Sequence, residues 1–274
     1  MKLVKAVAAV RLAALLLLAP AALAPALARD GVDVGGNSAF TKLVSAEQIE
    51  QSASLQYRQT LQQAGQQRAL APENNPQLQR LRAIAKRIIP HAVAWNPRAR
   101  DWKWEVNLIG SRQINAWCMP GGKIAFYTGI LDQLQLTDDE IATVMGHEIA
   151  HALREHARAR MGKTMAARGA VEIGAAIFGL GNIGRTAADM GRQLLTLKFS
   201  RDDETEADLV GLELAARAGY DPRAGISLWK KMSAASKGAP PQWMSTHPAG
   251  VNRIAEIERS LPKVMPLYER AKRG

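Results

Sequence analysis

Residues 137–153 read TDDEIATVMGHEIAHAL and decide the fold, because one short segment carries both a helix signal and a chemical motif. Thr137 and Glu140 form a capping box, which is typical of a helix N-terminus. The apolar side chains that follow recur at helical spacing: Ile141, Val144, Met145, Ile149 and Leu153. On such a helix His147 and His151 lie on one face, one turn apart. The segment therefore predicts a helix that offers two imidazoles to one metal ion.

The pentapeptide at 147–151, H-E-x-x-H, is the pattern of two zinc ligands and a general base. Glu148 is rotated about 100° from His147 around the helix, so it can reach a metal-bound water rather than the metal. In a shuffled chain of this composition, the pentapeptide would occur with a probability of roughly 0.5%. That probability is low without being negligible, so other features of the sequence must show whether the pentapeptide is a metal site or a chance match.

A third ligand is needed, because catalytic zinc takes three protein ligands and keeps one position for water. His91 lies in an apolar helix and is predicted to be structural, while His247 falls in a loop. His156 would lie about 140° off the ligand face of a continuous helix. Glu204 and Asp208 form an i, i+4 pair, in which one carboxylate can bind zinc and the other can hold a zinc-bound imidazole. The alternative is a solvated acidic helix start favoured by the helix dipole, and these residues alone leave both interpretations open.

The element pattern predicts an α+β protein that is predominantly helical, with a small sheet of about three strands. The strands are predicted at 102–109, 114–119 and 123–128, the last of them after a Pro-Gly-Gly turn. Helices are predicted at 45–65, from 76, at 137–153, 201–218 and 223–232, and after Pro248. Residues 161–199 fit a mobile lid or an amphipathic surface helix, and the charges within this stretch argue against a membrane span.

Residues 1–28 are predicted to be a signal peptide. A positive start, an apolar run and a small-x-small cleavage signal follow one another: Lys2, Lys5 and Arg11, then Leu12 to Leu18, then Ala26-Leu27-Ala28. The alternative is an uncleaved anchor helix, but Pro20 and Pro25 interrupt the run. We expect cleavage near Ala28 and export to the periplasm. Residues 29–75 are predicted as a flexible leader with a peripheral helix, and 263–274 as a basic C-terminal tail.

The composition limits the domain number, the cysteine chemistry and the kinds of partner molecule to expect. The 274 residues are 47% hydrophobic, which suits one globular domain. Cys118 is the single cysteine, so no internal disulfide is possible, and its apolar neighbours predict a buried inert thiol. The net charge of +11 does not indicate nucleic acid, because the chain is expected to be exported and has no basic-block motif. Peripheral contact with an anionic membrane surface is the better interpretation, and a merely solvated surface is the alternative.

Taken together, the motifs resemble the gluzincin metallopeptidases of peptidase family forty-eight, the HtpX-like and CAAX-prenyl-protease-like group. The stretches that carry the resemblance follow one another in the family's order: Asn115-Ala116 to Pro120-Gly121-Gly122, Thr128-Gly129-Ile130-Leu131, Gly146 to His151, Ser200-Arg201 with Glu204, Ala207 and Asp208, and Thr246-His247-Pro248 with Arg253. The resemblance implies a zincin-type core around an H-E-x-x-H helix, with residues 76–262 as the metallopeptidase domain. The chain lacks the family's multiple membrane spans and looks like its soluble, exported branch.

The resemblance also implies the roles of individual residues. One zinc ion per chain would be held by His147, His151 and Glu204, with Glu148 as the base. The other implied residues are Asp208 as partner of a ligand histidine, His247 facing the zinc as oxyanion stabiliser or resting cover, Arg253 orienting that loop, and Asn115 and Ala116 as a substrate-pairing edge.

The function implied is a zinc-dependent endopeptidase acting on unfolded or misfolded cell-envelope proteins in protein quality control. The main alternative is a zinc-containing envelope chaperone or binding protein with latent or no proteolytic activity. Two weaker alternatives are another zinc hydrolase, such as an aminopeptidase or amidase, and a basic surface-binding protein with an accidental motif. The sequence leaves open the natural substrates, the oligomeric state, and whether 161–199 form a lid or touch a membrane.

Overall fold

The computed structural model describes residues 30–177, 187–236, 241–248 and 252–273. The predicted signal peptide, residues 1–28, lies outside these ranges. Within them, no helix combines the length and the apolar character needed to cross a membrane. Helices dominate around one three-stranded sheet, which confirms the predicted α+β architecture.

The small sheet contains β1 (Glu105–Ile109), β2 (Ala116–Met119) and β3 (Lys123–Tyr127) in the order β1-β3-β2. β3 pairs in parallel with β1 and antiparallel with β2, so β2 is an edge strand. The tight turn before β3 places Gly121 and Gly122 at φ +83° and +74°, a backbone region that suits glycine. All three strands fall inside the predicted ranges.

The helices predicted to begin at residues 45, 76 and 137 start within one residue of those positions, whereas the short helices at Thr128–Leu134 and Gln242–Thr246 were not predicted. Within the described ranges they are α1 (Ala46–Gln66), α2 (Pro76–Ile88), α3 (Thr128–Leu134), α4 (Asp138–Leu153), α5 (His156–Ile177), α6 (Ala187–Thr196), α7 (Arg201–Arg217), α8 (Ala224–Ala235), α9 (Gln242–Thr246) and α10 (Arg253–Arg273), with 3-10 helices at Ala39–Leu43, Ile89–Ala94 and Pro97–Arg100. The predicted capping box of α4 is formed: the Thr137 hydroxyl accepts from the Glu140 N–H, and the Glu140 carboxylate accepts from the Thr137 N–H.

Helix α4 lies at the centre of the fold, and every residue from Glu140 to Leu153 is buried. It packs most closely on α7, and it also contacts β2, α2 and α8. Its apolar side chains, among them Ile141, Val144 and Met145, belong to the main hydrophobic core. A helix covered on all sides carries its polar groups into the interior, where each one needs a partner.

Residues 30–44 differ from the predicted flexible leader, because they pack on the helical core. Val32 is buried in a small apolar cluster with Ala216 and Val264. Its backbone N–H donates a hydrogen bond of 2.8 Å to Glu213 Oε2, which is itself buried. A buried apolar side chain and a satisfied carboxylate hold this segment against α7 and α10.

The C-terminal segment also differs from a separate tail. Helix α10 continues to Arg273, and Val264, Leu267 and Tyr268 are buried on one of its faces. Their spacing of three and one residues is that of a helical stripe. The stripe packs against Val32, so both ends of the described chain meet in one cluster.

Residues 161–199 contribute to two helices, α5 and α6. Helix α6 packs on α1 so closely that a Cβ at Gly191 would lie 3.0 Å from the Ser52 carbonyl oxygen. The chain then runs from the end of α6 through Leu197 and Phe199 to the start of α7. Residues 178–186, the middle of the predicted lid or surface helix, lie outside the described ranges.

Candidate metal centre

The two histidines of the H-E-x-x-H motif face one another inside the protein. The exposed fractions of His147 and His151 are 2% and 3%. Their Nε2 atoms are 3.0 Å apart, as the i, i+4 spacing predicts. Two buried imidazole nitrogens at this separation can both reach one metal ion.

A close contact between two helices brings an acidic residue to this point. A Cβ at Gly146 of α4 would lie 2.6 Å from the Gly211 carbonyl oxygen of α7, so only glycines allow the approach. The approach sets Glu204 of α7 beside both imidazoles. Its Oε2 lies 3.6 Å from His147 Nε2, and its Oε1 lies 3.4 Å from His151 Nε2.

His247 completes a group of four buried metal-binding side chains. One ligand atom from each of His147, His151, Glu204 and His247 lies within 4.8 Å of the other three. His247 sits at the C-terminal end of α9, where its ring stacks on Trp243 with a centroid distance of 5.0 Å. His247, which was predicted to lie in a loop, follows a short helix and lies beside the motif histidines.

The group fits a zinc ion in donor type and in spacing. Ligand atoms about 2.1 Å from a tetrahedral zinc lie roughly 3.4 Å apart, and the measured separations between the motif histidines and Glu204 are 3.0, 3.4 and 3.6 Å. Glu204 Oε1 and His247 Nε2 are buried and have no hydrogen-bond partner. Orphaned buried polar atoms of this kind are costly in a protein unless a cation satisfies them.

Asp208 and Arg253 support the ligands from behind. Asp208 Oδ1 lies 2.9 Å from His147 Nδ1, the ring nitrogen that points away from the group. Arg253 makes a two-pronged contact with the Asp208 carboxylate and donates to Glu204 Oε2 at 3.0 Å. The predicted contact of Asp208 with a ligand histidine is present. Arg253 contacts carboxylates and also lies 5.9 Å from the centroid of the Trp243 ring, four residues before His247, and its role in orienting that loop stays a prediction.

Glu148 lies beside the group and is held by an indole. Trp243 Nε1 donates a 2.6 Å hydrogen bond to Glu148 Oε1. Burial raises the pKa of Glu148 to about 8, against the hydrogen bond from Trp243 and the charge of Arg253, which both lower it. No feature of the sequence identifies Trp243, because the contact depends on how the short helix α9 folds over α4.

Burial also controls the charges of the four ligand residues. It raises the pKa of Glu204 to about 9, although the nearby Arg253 guanidinium lowers it. It lowers the pKa of His147 to about 4, despite the opposing contact with Asp208. It also lowers the pKa of His151 and His247 well below the usual range, together with repulsion from neighbouring cations. At neutral pH the metal-free group therefore holds neutral imidazoles and a protonated Glu204.

A cleft runs past the group along the edge of β2. Its walls are formed by two segments and the motif: 115–120 on one side, Leu194, Leu195, Leu197 and Phe199 on the other, and Glu148, His151 and His247 at the base. Asn115 and Ala116 line the cleft, and the Asn115 carbonyl accepts from the Tyr127 N–H of β3. The edge strand β2 therefore lies beside the candidate metal centre, and the backbone of Cys118 contacts Glu148.

The remaining candidates lie where sequence reasoning expected, with one exception. Cys118 is buried, and burial raises the pKa of its thiol well above the usual value, as expected of an inert thiol. His91 lies in a 3-10 helix away from the group. His156 stays outside the metal-binding group, as expected, and the exception is its contact with a ligand histidine: its Nδ1 is 2.9 Å from His151 Nδ1. The prediction that it lies off the ligand face assumed a continuous helix, and α4 ends before it.

Comparison with known protein families shows which family the chain belongs to. Residues 75–261, more than half of the chain, match the model of peptidase family M48. The chain belongs to peptidase family M48. The predicted resemblance is thereby confirmed, and the matched range contains all four side chains of the metal-binding group.

Relatives of this M48 chain include metallopeptidases from mitochondria and bacteria. It is 34% identical over 223 residues to the mitochondrial metalloendopeptidase OMA1 of Schizosaccharomyces pombe, covering 80% of this chain and 63% of that protein. It is 27% identical over 202 residues to the metalloprotease LoiP of Escherichia coli, covering 73% and 76%. It is 26% identical over 205 residues to the beta-barrel assembly-enhancing protease of Escherichia coli, covering 71% and 41%. The chain spans less than two thirds of the length of the OMA1 relatives.

Proposed function

We propose that this protein is a zinc-dependent endopeptidase that hydrolyses peptide bonds in unfolded or misfolded cell-envelope proteins. The observation that carries the proposal is the buried group of His147, His151, Glu204 and His247 with the Glu148 carboxylate beside it. A purely structural zinc site needs no general base, whereas Glu148 is both buried and hydrogen-bonded at this position. The names of the relatives, which include metalloendopeptidases, support the same reaction class.

The residues divide the chemistry among them. His147, His151 and Glu204 would hold one zinc ion, which supplies Lewis-acid activation of water and of the scissile carbonyl. Glu148 accepts the proton of the attacking water and passes it to the leaving amine. His247 Nε2 lies 3.6 Å from Glu148 Oε1, and its Nδ1 lies 3.0 Å from the Trp243 carbonyl oxygen, which can only accept. The proton of the neutral ring is therefore on Nδ1, so Nε2 can cover the metal at rest, and it can donate to the developing negative charge on the carbonyl oxygen once the ring gains a second proton.

Substrate selection follows from the edge of β2. An extended peptide can add to a free strand edge through main-chain hydrogen bonds, which recognise an extended backbone more than particular side chains. Asn115 and Ala116 would form this edge, and the apolar wall at Leu197 and Phe199 would face the substrate side chains. A folded protein cannot present such a strand, so unfolded or loosely held segments are the expected substrates.

The proposed location is the periplasm, reached through the signal peptide at 1–28. Peripheral contact with an anionic membrane surface is proposed in addition. The exposed large apolar side chains of the described residues are Phe40, Leu43 and Met165. The first two lie on the 3-10 helix that packs against α5, which carries the third. Lys163 Nζ lies 5.7 Å from the Phe40 ring centroid, and apolar side chains beside lysines suit an anionic bilayer surface.

Vesicle sedimentation tests the membrane contact. The protein should sediment together with vesicles rich in phosphatidylglycerol. Replacing Phe40, Leu43 and Met165 together by serine should reduce the bound fraction several-fold. Phosphatidylcholine vesicles serve as the control for charge, because they should bind the protein weakly at low salt. Equal binding of the triple variant and the unchanged protein would contradict a role for these side chains.

The endopeptidase proposal is tested by cleavage of casein, an unfolded protein. The purified protein should cleave it, and a chelator should stop the cleavage. Glu148→Gln should lower the rate by about 100-fold or more while the zinc content stays unchanged, because the amide cannot accept the proton. Cleavage by Glu148→Gln at the unchanged rate would reject Glu148 as the base.

A zinc-containing chaperone is the second candidate, and one observation favours it. His247 lies within the ligand group, so it can close the metal site as a fourth protein ligand. Stoichiometric zinc without cleavage of casein, together with suppression of aggregation of an unfolded protein, would support this candidate over the endopeptidase.

A further inference from the structure

A break between two helices decides the position of His156. Helix α4 ends at Leu153, and α5 begins at His156. Glu155, between them, has a left-handed backbone with φ 55°, a conformation that L residues seldom adopt. A continuous helix would have carried His156 away from the ligand face. The break instead turns His156 back beneath the second histidine of the motif.

His156 contacts the ring nitrogen of His151 that points away from the metal-binding group. The two Nδ1 atoms are 2.9 Å apart, and the rings meet edge to face with centroids 4.9 Å apart. His156 is 3% exposed. The contact is therefore shielded from water, and neither nitrogen can exchange its partner for solvent.

A carboxylate from α7 lies on the far side of His156. Glu206 Oε2 is 3.3 Å from His156 Nε2, an electrostatic contact rather than an aligned hydrogen bond, and the other oxygen of Glu206 accepts from Arg154 Nε. Arg154 is itself fixed, because it also donates to the Gly35 carbonyl oxygen at 2.8 Å. The row His151, His156, Glu206 and Arg154 thus ends on a charged pair whose arginine side chain is 7% exposed.

The order of protons along this row is determined by the metal-binding role of His151. An imidazole that binds a cation through Nε2 keeps its one proton on Nδ1. That proton can be donated only if His156 Nδ1 is unprotonated, so the His156 proton must sit on Nε2, which faces Glu206. The nearby Glu206 carboxylate favours a proton on the nitrogen that faces it.

We propose that His156 is a positioning residue for the metal centre: it accepts a hydrogen bond from His151 Nδ1, and Glu206 holds His156 in the tautomer that can do so. The inference rests on the proposed zinc site. Helix α7 would then secure both motif histidines, His147 directly through Asp208 at 2.9 Å and His151 through His156. Partners of this kind orient a ligand imidazole and increase its affinity for the metal.

Zinc affinity of the whole protein, measured by competition with a chromogenic chelator, tests the proposal. His156→Leu keeps a similar volume without an acceptor, and the zinc dissociation constant should rise about 10- to 100-fold. His156→Gln offers a carbonyl to His151 and an N–H to Glu206, so it should recover most of the affinity. His91→Leu removes a histidine outside the site and should leave the affinity unchanged. The cobalt-loaded protein gives a second readout, since its visible absorption should shift in His156→Leu.

An unchanged zinc affinity in His156→Leu would overturn the proposal, and so would a His156→Gln variant as weak as His156→Leu. The melting temperature of each metal-free variant shows whether the fold is kept. If His156→Leu does not fold, Glu206→Ala replaces it and should weaken zinc binding several-fold; no weakening there would also overturn the proposal. Failure of the endopeptidase function is separate, because it would appear as lost casein cleavage with zinc binding and the His156 effect intact.

Discussion

Neighbouring groups give the buried carboxyls of the site different properties. Asp208 has its pKa lowered, because the charge of Arg253 and the contact with His147 outweigh its burial. For Glu204 and Glu148, burial outweighs the effect of the same arginine and raises their pKa values to about 9 and about 8. The Arg253 guanidinium therefore keeps Asp208 charged, whereas the charge of Glu204 and Glu148 depends on a further cation in the site.

Trp243 gives a prediction at this scale. Trp243→Phe keeps an aromatic ring on His247 but removes the hydrogen bond to Glu148 Oε1. We expect kcat for casein peptides to fall about tenfold, since a hydrogen bond to a charged group contributes about 1.5–3 kcal/mol. That bond lowers the pKa of Glu148, so its loss raises the pKa, and the acidic limb of the pH–rate profile should move to higher pH.

The measurement is a pH–rate profile with zinc content determined at each point. Trp104→Phe is the matched control, because it removes an indole hydrogen bond to the Ala99 carbonyl far from the site. A Trp243→Phe profile that coincides with that of the control would show that the indole does not act on Glu148.

The contact of α4 with α7 is the element on which the metal centre depends. Gly146 and Gly211 let the two backbones approach, and a Cβ at Gly211 would lie 2.6 Å from the backbone nitrogen of His147. The neighbouring atoms are backbone, so they cannot turn aside as a flexible side chain would. Any added atom must move one helix and with it either His147 or Glu204.

Gly211→Ala should therefore weaken zinc binding and destabilise the protein. We expect about 1–3 kcal/mol of lost unfolding free energy, the usual effect of overpacking, and a zinc dissociation constant at least tenfold higher. Urea unfolding and chelator competition measure the two effects. Gly65→Ala is the control: it lies in α1 with open space around it, so it should leave zinc binding unchanged and stabilise slightly. Zinc affinity equal in both variants would refute the dependence on close approach.

Because the fold buries the site, metal binding is coupled to the release of a proton. The ligand side chains are only 2–3% exposed, so the histidines are neutral and Glu204 is protonated at pH 7 when no metal is bound. Zinc requires the carboxylate form of Glu204. Binding at neutral pH must therefore release a proton from a carboxyl and none from the imidazoles, the reverse of an exposed histidine site.

Proton release is expected to make zinc binding tighter as pH rises. Because the pKa of Glu204 is raised to about 9, affinity should increase up to about tenfold per pH unit between pH 7 and 8 and level off near pH 9. Calorimetry in two buffers of different ionisation enthalpy measures the protons released. Glu148→Gln removes a neighbouring carboxyl whose charge helps to raise the pKa of Glu204, so in this variant the affinity should level off at a lower pH. A binding enthalpy at pH 7 that is equal in both buffers would contradict a protonated Glu204.

Local sequence determined the elements and half of the site. Capping boxes depend on residues three apart, and apolar stripes depend on helical spacing, so both could be recognised in a single segment. The same local geometry placed His147 and His151 on one face. The leader and the C-terminal helix were harder, because Val32 and Val264 are buried only by contact with each other's segments.

The rest of the metal centre, which the family resemblance implied, is brought together only by the tertiary structure. Glu204 and His247 are 57 and 100 positions from His147, and nothing in their own segments distinguishes a ligand from a solvated residue. The glycine contact between α4 and α7 brings the first into place, and the fold of α9 brings the second. His156 needed one left-handed residue, Glu155, to reverse its direction. Each of these positions depends on packing between distant segments, and a helical repeat carries no information about that packing.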